Sequence, residues 1–281
     1  EIIVVADFRE RTTAKLPASI TTFDSKTIKQ TGMQHFEELI FSVPNFNWSG
    51  DGNRARYFQI RGVGELEQYE GAPNPSVGFL IDDIDFSGIG MIATLFDVQQ
   101  VDVLRGPQGT RYGANALAGL VYVQSTEPSD EWSGDVRLGV AADDAFSAGI
   151  AFGGPITSFG ENTRFRFSTH HYQSNGFRHN TFLERNDTNG RHETAVRGKL
   201  LWQPNKSWTL KFTGMYVEID NGYDAFAIDN SFVVLSDRPG KDAQQSIGSS
   251  LKAVWDSSDW FNLTSITSIA KSDIDFNFDA D

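Results

Sequence analysis

The sequence predicts a mixed α/β domain over residues 7–128, followed over residues 129–281 by antiparallel strands of a transmembrane β-barrel. Three observations carry that reading. Two apolar, strand-like segments at 101–105 and 120–123 are joined by a loop bearing Gly106, Gly109, Gly113 and Gly119, where the backbone can adopt geometry that a Cβ resists. After Trp132 the chain falls into segments of about ten residues with alternating polarity, the length and period of a tilted membrane strand. The connections between those segments alternate between long and short.

Composition narrows the classes. A chain of 281 residues with 39% apolar content can bury a sizeable core or form two domains. No apolar run approaches the ~18 residues of a membrane helix, and no basic and apolar leader opens the sequence, so any secretory signal is expected to have been removed. A mean hydropathy of −0.34 is compatible with a barrel, in which lipid-facing and lumen-facing residues average out. The absence of cysteine excludes disulfide scaffolds, thiol catalysis and cysteine-held zinc. A net charge of −13 argues against nucleic acid as a partner.

The elements of the first domain follow in order. Residues 1–6, Glu1, Ile2, Ile3, Val4, Val5 and Ala6, form a β-branched run that favours an extended backbone and can add to the edge of another sheet. Strands are expected at 20–23, 58–61, 77–81, 101–104 and 120–124. Asp24 or Ser25 can cap a short helix through Gln30, with Gly32 as its stop. Phe36, Leu39 and Ile40 form one apolar stripe of a second helix, which Pro44 ends.

The run from Val101 to Val123, Val-Asp-Val-Leu-Arg-Gly-Pro-Gln-Gly-Thr-Arg-Tyr-Gly-Ala-Asn-Ala-Leu-Ala-Gly-Leu-Val-Tyr-Val, closely resembles the signature of the plug domain of TonB-dependent outer-membrane receptors. Two further segments resemble that family in the expected order, Phe-Gln-Ile-Arg-Gly-Val at 58–63 and Val-Gly-Phe-Leu-Ile-Asp-Asp-Ile-Asp at 77–85. The resemblance implies active transport of a scarce nutrient, a ferric siderophore by default, across the bacterial outer membrane. It implies three partners: the TonB energy-transducing protein with its ExbB–ExbD motor, a small nutrient such as a ferric chelate, and outer-membrane lipid. Residues 1–6 resemble the TonB box through which the plug is pulled. Arg61 and Arg105, each beside glycine at a strand end, are implied to lock the plug onto carboxylates of the barrel wall. Arg54, Arg56, Gln68 and Tyr69 lie in expected outward loops, and their guanidinium, amide and phenol groups suit anionic or hydroxylated ligands.

Other signals fail. The glycines at 106–113 are followed by no Gly-Lys-Ser/Thr, and the calcium-like start at Asp83 has Thr94 where a bidentate glutamate is needed. His170 and His171 are adjacent, so on a strand they face opposite sides. Neither catalytic residues, nor a metal, nor a cofactor is expected.

Seven strands are expected after residue 130. In the fourth, Val196, Gly198, Leu200 and Trp202 oppose Arg197, Lys199 and Gln203; in the fifth, Trp208, Leu210, Phe212, Gly214 and Tyr216 oppose Thr209, Lys211 and Thr213. Charge thus stays on one face, expected to line the lumen. Trp132, Trp202, Trp208, Trp255 and Trp260 each fall at a strand end adjoining the first domain or a short turn, as an aromatic girdle at the periplasmic membrane interface requires. The terminal run places Asp273, Asp275, Asn277 and Asp279 on one face, expected in water, and Ile274, Phe276 and Phe278 on the other, expected in lipid or at the membrane interface. Seven strands cannot close a plugged barrel of about 22, so the remaining wall is expected elsewhere. The rival reading is a soluble all-β carbohydrate-binding or adhesion module, which would bury the alternating face between stacked sheets.

Overall fold

The computed structural model describes residues 3–4, 11–12, 19–50, 54–66, 75–89, 94–112, 114–159, 162–227, 229–258 and 261–279. The chain divides into two compact units, Glu1–Glu127 and Pro128–Asp281.

In the first unit β1 (Ile3–Val4) pairs antiparallel with β2 (Arg11–Thr12). Ile3 and Val4 of the N-terminal run thus find a partner in the chain that follows, which pairs one of their two β edges. Next come β3 (Ser19–Asp24) and α1 (Ser25–Thr31). The Asp24 carboxylate accepts from the Thr27 backbone N–H at 2.8 Å, and Gly32 ends the helix at φ 69°. In α2 (Phe36–Ile40) the apolar stripe is buried, and Phe36 meets the rings of Phe46, Phe58 and Phe79 edge-on at 5.4–6.4 Å. Besides β2, two strands escaped sequence reading: β4 (Phe46–Ser49), which pairs with β5 (Tyr57–Ile60), and the two-residue β7 (Ile84–Asp85), which pairs with β6 (Val77–Ile81).

The glycine-bearing motif becomes β8 (Val98–Arg105), a short helix α3 (Gly109–Tyr112) and β9 (Gly119–Ser125). The five-stranded sheet runs β3-β8-β9-β6-β7, with β6 and β9 parallel and the other pairs antiparallel. β9 is central, and its first five residues are all buried, which is why it reads as a continuous apolar run. Glycine is required at two points. Gly106 has φ 141°, and a Cβ at Gly119 would stand 2.4 Å from the Leu104 carbonyl oxygen.

The second unit is one seven-stranded antiparallel sheet. Its strands, in spatial as well as chain order, are β10 (Ser133–Ala141), β11 (Ala145–Pro155), β12 (Thr163–Ser174), β14 (Arg191–Asn205), β15 (Trp208–Tyr223), β17 (Gly240–Ser258) and β18 (Phe261–Asn277). The sheet does not close among the described residues. Two long connections contribute β13 (His179–Asn180) and β16 (Val233–Val234), which pair with each other in parallel.

Register fixes two faces. One row across the sheet reads Phe152, Phe167, Gly198, Gly214, Ser249, Ile269; the next toward the long connections reads Ile150, Thr169, Val196, Tyr216, Ile247, Lys271. This face is apolar and its large side chains, Val136, Leu138, Phe152, Leu200, Phe212 and Leu251 among them, are exposed. The opposite face carries Arg166, Ser168, His170, Arg197, Lys199, Thr213, Ser246 and Ser250, all buried. His170 and His171 accordingly project to opposite sides.

At the last strand the faces are reversed from expectation. Asp273 is in register with Gln245 and Glu218 on the apolar face, whereas Ile274 pairs with Gln244 and Phe276 with Asp242 on the polar one. The acidic run lies beyond the last large apolar row, so its carboxylates meet water past the band, while Phe276 packs on the Tyr223 ring at 5.4 Å.

Candidate functional site

Arg61 and Arg105 are brought to one corner of the first unit by the turn at Pro44 and Asn45. The backbone N–H of Arg61, at φ 56°, donates to the Asn45 carbonyl at 2.8 Å, and Arg105 Nη1 donates to the neighbouring Pro44 carbonyl at 3.2 Å. The Arg61 side chain is exposed; Arg105 Nε is buried and has no hydrogen-bond partner among the described residues. Neither guanidinium forms a salt bridge among the described residues.

The expected ligand contacts separate. Arg54 is 2% exposed, among the largest fully buried side chains, so it offers no open surface to a ligand. Arg56 is half-buried, and its backbone N–H closes the β4–β5 hairpin on the Ser49 carbonyl at 3.0 Å. Gln68 and Tyr69 lie outside the described residues, as do Glu1, Ile2, Val5, Ala6 and Trp260. The stem of the loop carrying Gln68 and Tyr69 is described: the Glu65 carboxylate accepts from the Ser76 backbone N–H at 3.0 Å and from its hydroxyl at 2.6 Å.

The hairpin turn between β6 and β7 holds a second polar constellation. Asp82 and Asp83 both have positive φ, 48° and 69°, as a two-residue hairpin turn demands. Asp82 accepts from the Ser125 N–H and hydroxyl at 2.9 and 2.6 Å, while Asp83 accepts from the Tyr122 hydroxyl at 2.7 Å. Burial, reinforced by the Asp83 charge, pushes the Tyr122 phenol well above its ordinary value.

Sequence reading missed the organisation of the long connections. Asn180, fully buried, donates through Nδ2 to an Asp224 carboxylate oxygen at 2.8 Å and to the Ser236 carbonyl at 2.9 Å; the Ser236 hydroxyl donates to the other Asp224 oxygen at 2.7 Å. Asn180, Asp224 and Ser236 lie in two different connections, so no local pattern announces the network. Nearby, Arg185 pairs with Asp187 at 2.8 Å, and that bond holds the exposed Asp187 carboxyl below its usual range. At the same end Tyr223, Phe226, Phe276 and Phe278 form one ring cluster, assembled only by strand register.

At the opposite end the aromatic row is present. Trp208 and Trp255 are stacked with ring centroids 5.9 Å apart, Phe261 meets Trp255 edge-on, and Trp132 meets Phe165 at 5.6 Å. Trp202 shares this end through its register with Thr163 and Leu210. From Trp208 to Tyr216 the apolar band runs about 26 Å along the strand at ~3.3 Å per residue, the scale of the outward band of an outer-membrane barrel.

An α/β domain bearing that glycine motif, followed by membrane-type strands with an outward apolar band, defines a plugged outer-membrane barrel, present here in part. Residues 12–120 match the TonB-dependent receptor plug domain, and the fold of the chain is similar to that of TonB-dependent receptors of the bacterial outer membrane. Among curated relatives, the pesticin receptor of Yersinia pestis is 26% identical over 156 residues, covering 55% of this chain and 23% of that protein. The vitamin B12 transporter BtuB of Vibrio vulnificus is 21% identical over 229 residues, covering 79% of this chain and 36% of that protein. The crystal structure of the ferric yersiniabactin uptake receptor FyuA from Yersinia pestis superposes with a TM-score of 0.83 at 21% identity, over 96% of this chain and 43% of that one. The chain therefore spans less than half the length of each of these proteins.

Proposed function

We propose that this protein imports a scarce nutrient, a ferric siderophore by default, across the outer membrane by TonB-dependent remodelling of its plug. The observation that carries the reading is the glycine-bearing β8-α3-β9 motif, folded into the sheet of a plug domain and followed by membrane-type strands. The domain limits that accompany it are a TonB-interacting segment at 1–6, the plug at 7–128 and the first barrel strands at 129–281. Residues 1–6 would offer the uncovered edge of β1 to TonB, which draws on the ExbB–ExbD motor. Arg61 and Arg105, clustered at the Pro44–Asn45 turn, would fork onto carboxylates of the barrel wall, since a charge held in a poorly hydrated lumen is costly without a partner. Arg56, Gln68 and Tyr69 remain the ligand contacts proposed for the plug loops; the burial of Arg54 removes it from that set. The siderophore default is supported by the likeness to FyuA, a ferric yersiniabactin uptake receptor, whereas BtuB points to the wider range of cargo.

The soluble all-β alternative requires the apolar face to pack against a second sheet. Large apolar side chains of that face are exposed on six of the seven strands, against this alternative. Uptake of a radiolabelled ferric chelate by cells expressing the full-length protein, with and without an intact energising complex, tests the proposal. Energy-dependent accumulation is expected; cargo binding without accumulation would refute transport.

A further inference from the structure

The connection between β5 and β6 is tied down at both ends by polar groups that the core does not require. All four residues of β5 are buried, yet one of them is Gln59, an amide only 7% exposed. Burying an amide costs free energy unless its groups are bonded. Gln59 Nε2 directs its donors out of the strand, to the Ser49 hydroxyl at 3.1 Å and to the Glu65 carbonyl. The Ser49 hydroxyl in turn donates to the Leu66 carbonyl at 2.8 Å. The outgoing limb is thus held by two successive carbonyls just past Gly64. Glycine permits that bend: its φ is 149°, and a Cβ there would stand 2.1 Å from the Phe58 carbonyl oxygen.

The returning limb is held by the Glu65 side chain. Its two carboxylate oxygens accept from the Ser76 backbone N–H at 3.1 and 3.0 Å, and one of them also accepts from the Ser76 hydroxyl at 2.6 Å. The Ser76 carbonyl accepts from the Ala118 N–H at 2.8 Å, and the Ala118 carbonyl from the Gly106 N–H at 2.9 Å, so the clasp is joined to both ends of the glycine-bearing loop. Hydrogen bonds to an ionised carboxylate are the strong ones. These do not serve packing, because Val63 and Leu66 beside the clasp are 47% and 71% exposed. What they fix is where the two limbs leave and rejoin the plug sheet.

We infer that Glu65, backed by Gln59, is a positioning residue for cargo recognition: it sets both limbs of this connection against the glycine motif, so that the connection meets its cargo in one arrangement. The inference rests on the transport and the plug-loop contacts proposed above. The test uses cells carrying the full-length protein and supplied with radioiron as citrate, as a trihydroxamate or as a tricatecholate, the chelate that wild type accumulates being carried forward. Glu65→Ala should raise the half-saturating concentration for energised uptake at least tenfold while the maximal rate per receptor falls less than twofold; Glu65→Gln, which keeps one acceptor oxygen for Ser76, should recover most of the loss. In the purified full-length Glu65→Ala protein, hydrogen exchange should rise at least tenfold at the Ser76 and Ala118 amides and stay at the wild-type level in β8. A merely structural part would lower the maximal rate, or the amount of receptor in the membrane, with half-saturation unmoved; that result, or unchanged exchange at Ser76, would overturn the inference. If Glu65→Ala does not reach the membrane, Ser76→Ala decides, since it removes only the hydroxyl donor: half-saturation less than threefold above wild type refutes the role. Accumulation of none of the three chelates by wild type would sink the transport reading and the inference with it, whereas wild-type uptake with half-saturation unmoved in the variants sinks the inference alone.

Discussion

Tyr122 and Asp83 show how a single buried contact can hold the plug's strained turn. Both backbone φ values of the turn are positive, and the carboxylates that occupy it are bound by Ser125 and Tyr122 of β9. Tyr122→Phe leaves a buried carboxylate oxygen without its donor and should destabilise the plug by about 1–3 kcal/mol, read by denaturant unfolding of the full-length protein. The pH dependence has a definite sign. Because the folded phenol titrates above its unfolded value, its contribution is whole below about pH 10 and declines as pH rises toward the folded pKa. An alkaline transition that is identical in wild type and Tyr122→Phe would refute this role. At this scale the sequence was only partly legible. The cap at Asp24 and the stop at Gly32 follow local rules, whereas the burial of Arg54 and the Asn180–Asp224–Ser236 network depend on residues distant in the chain.

At the scale of elements, alternation made the barrel strands legible and their ends less so. A period of two assigns faces reliably while each strand carries both charged and aromatic residues, as in β14 and β15. In β18 the terminal alternation extends past the apolar band, so the rule that apolar means lipid fails there, and register alone assigns the faces. The short strands β4 and β7 escaped because two to four residues show no usable period. Two predictions belong here. Trp132, Trp202, Trp208 and Trp255, studied as single-tryptophan variants in bilayers with lipids brominated at known depths, should all be quenched most strongly by labels near the headgroups of one leaflet; a spread of depths would contradict the girdle. Asn180→Ala should loosen the paired connections, since Asp224 and Ser236 lose their shared donor, and raise hydrogen exchange across β13 and β16 by at least tenfold. Exchange unchanged from wild type would show that the loops are held by other contacts.

For the molecule as a whole, the plug motif was legible because its chemistry is local: glycines where a Cβ cannot fit or φ is positive, between two apolar strands. The site is less legible because its parts come from different elements, with Arg61 and Arg105 meeting only at the Pro44–Asn45 turn. The central claim is that force applied through residues 1–6 opens this plug for transport. Val4 belongs to β1, and Val4→Pro removes a backbone donor while leaving the five-stranded sheet untouched. The most direct measurement is energised uptake of a labelled ferric chelate by cells carrying the full-length Val4→Pro protein, set beside chelate binding to the same cells. Uptake at background with binding equal to wild type is the expected result; uptake at the wild-type rate would contradict the claim.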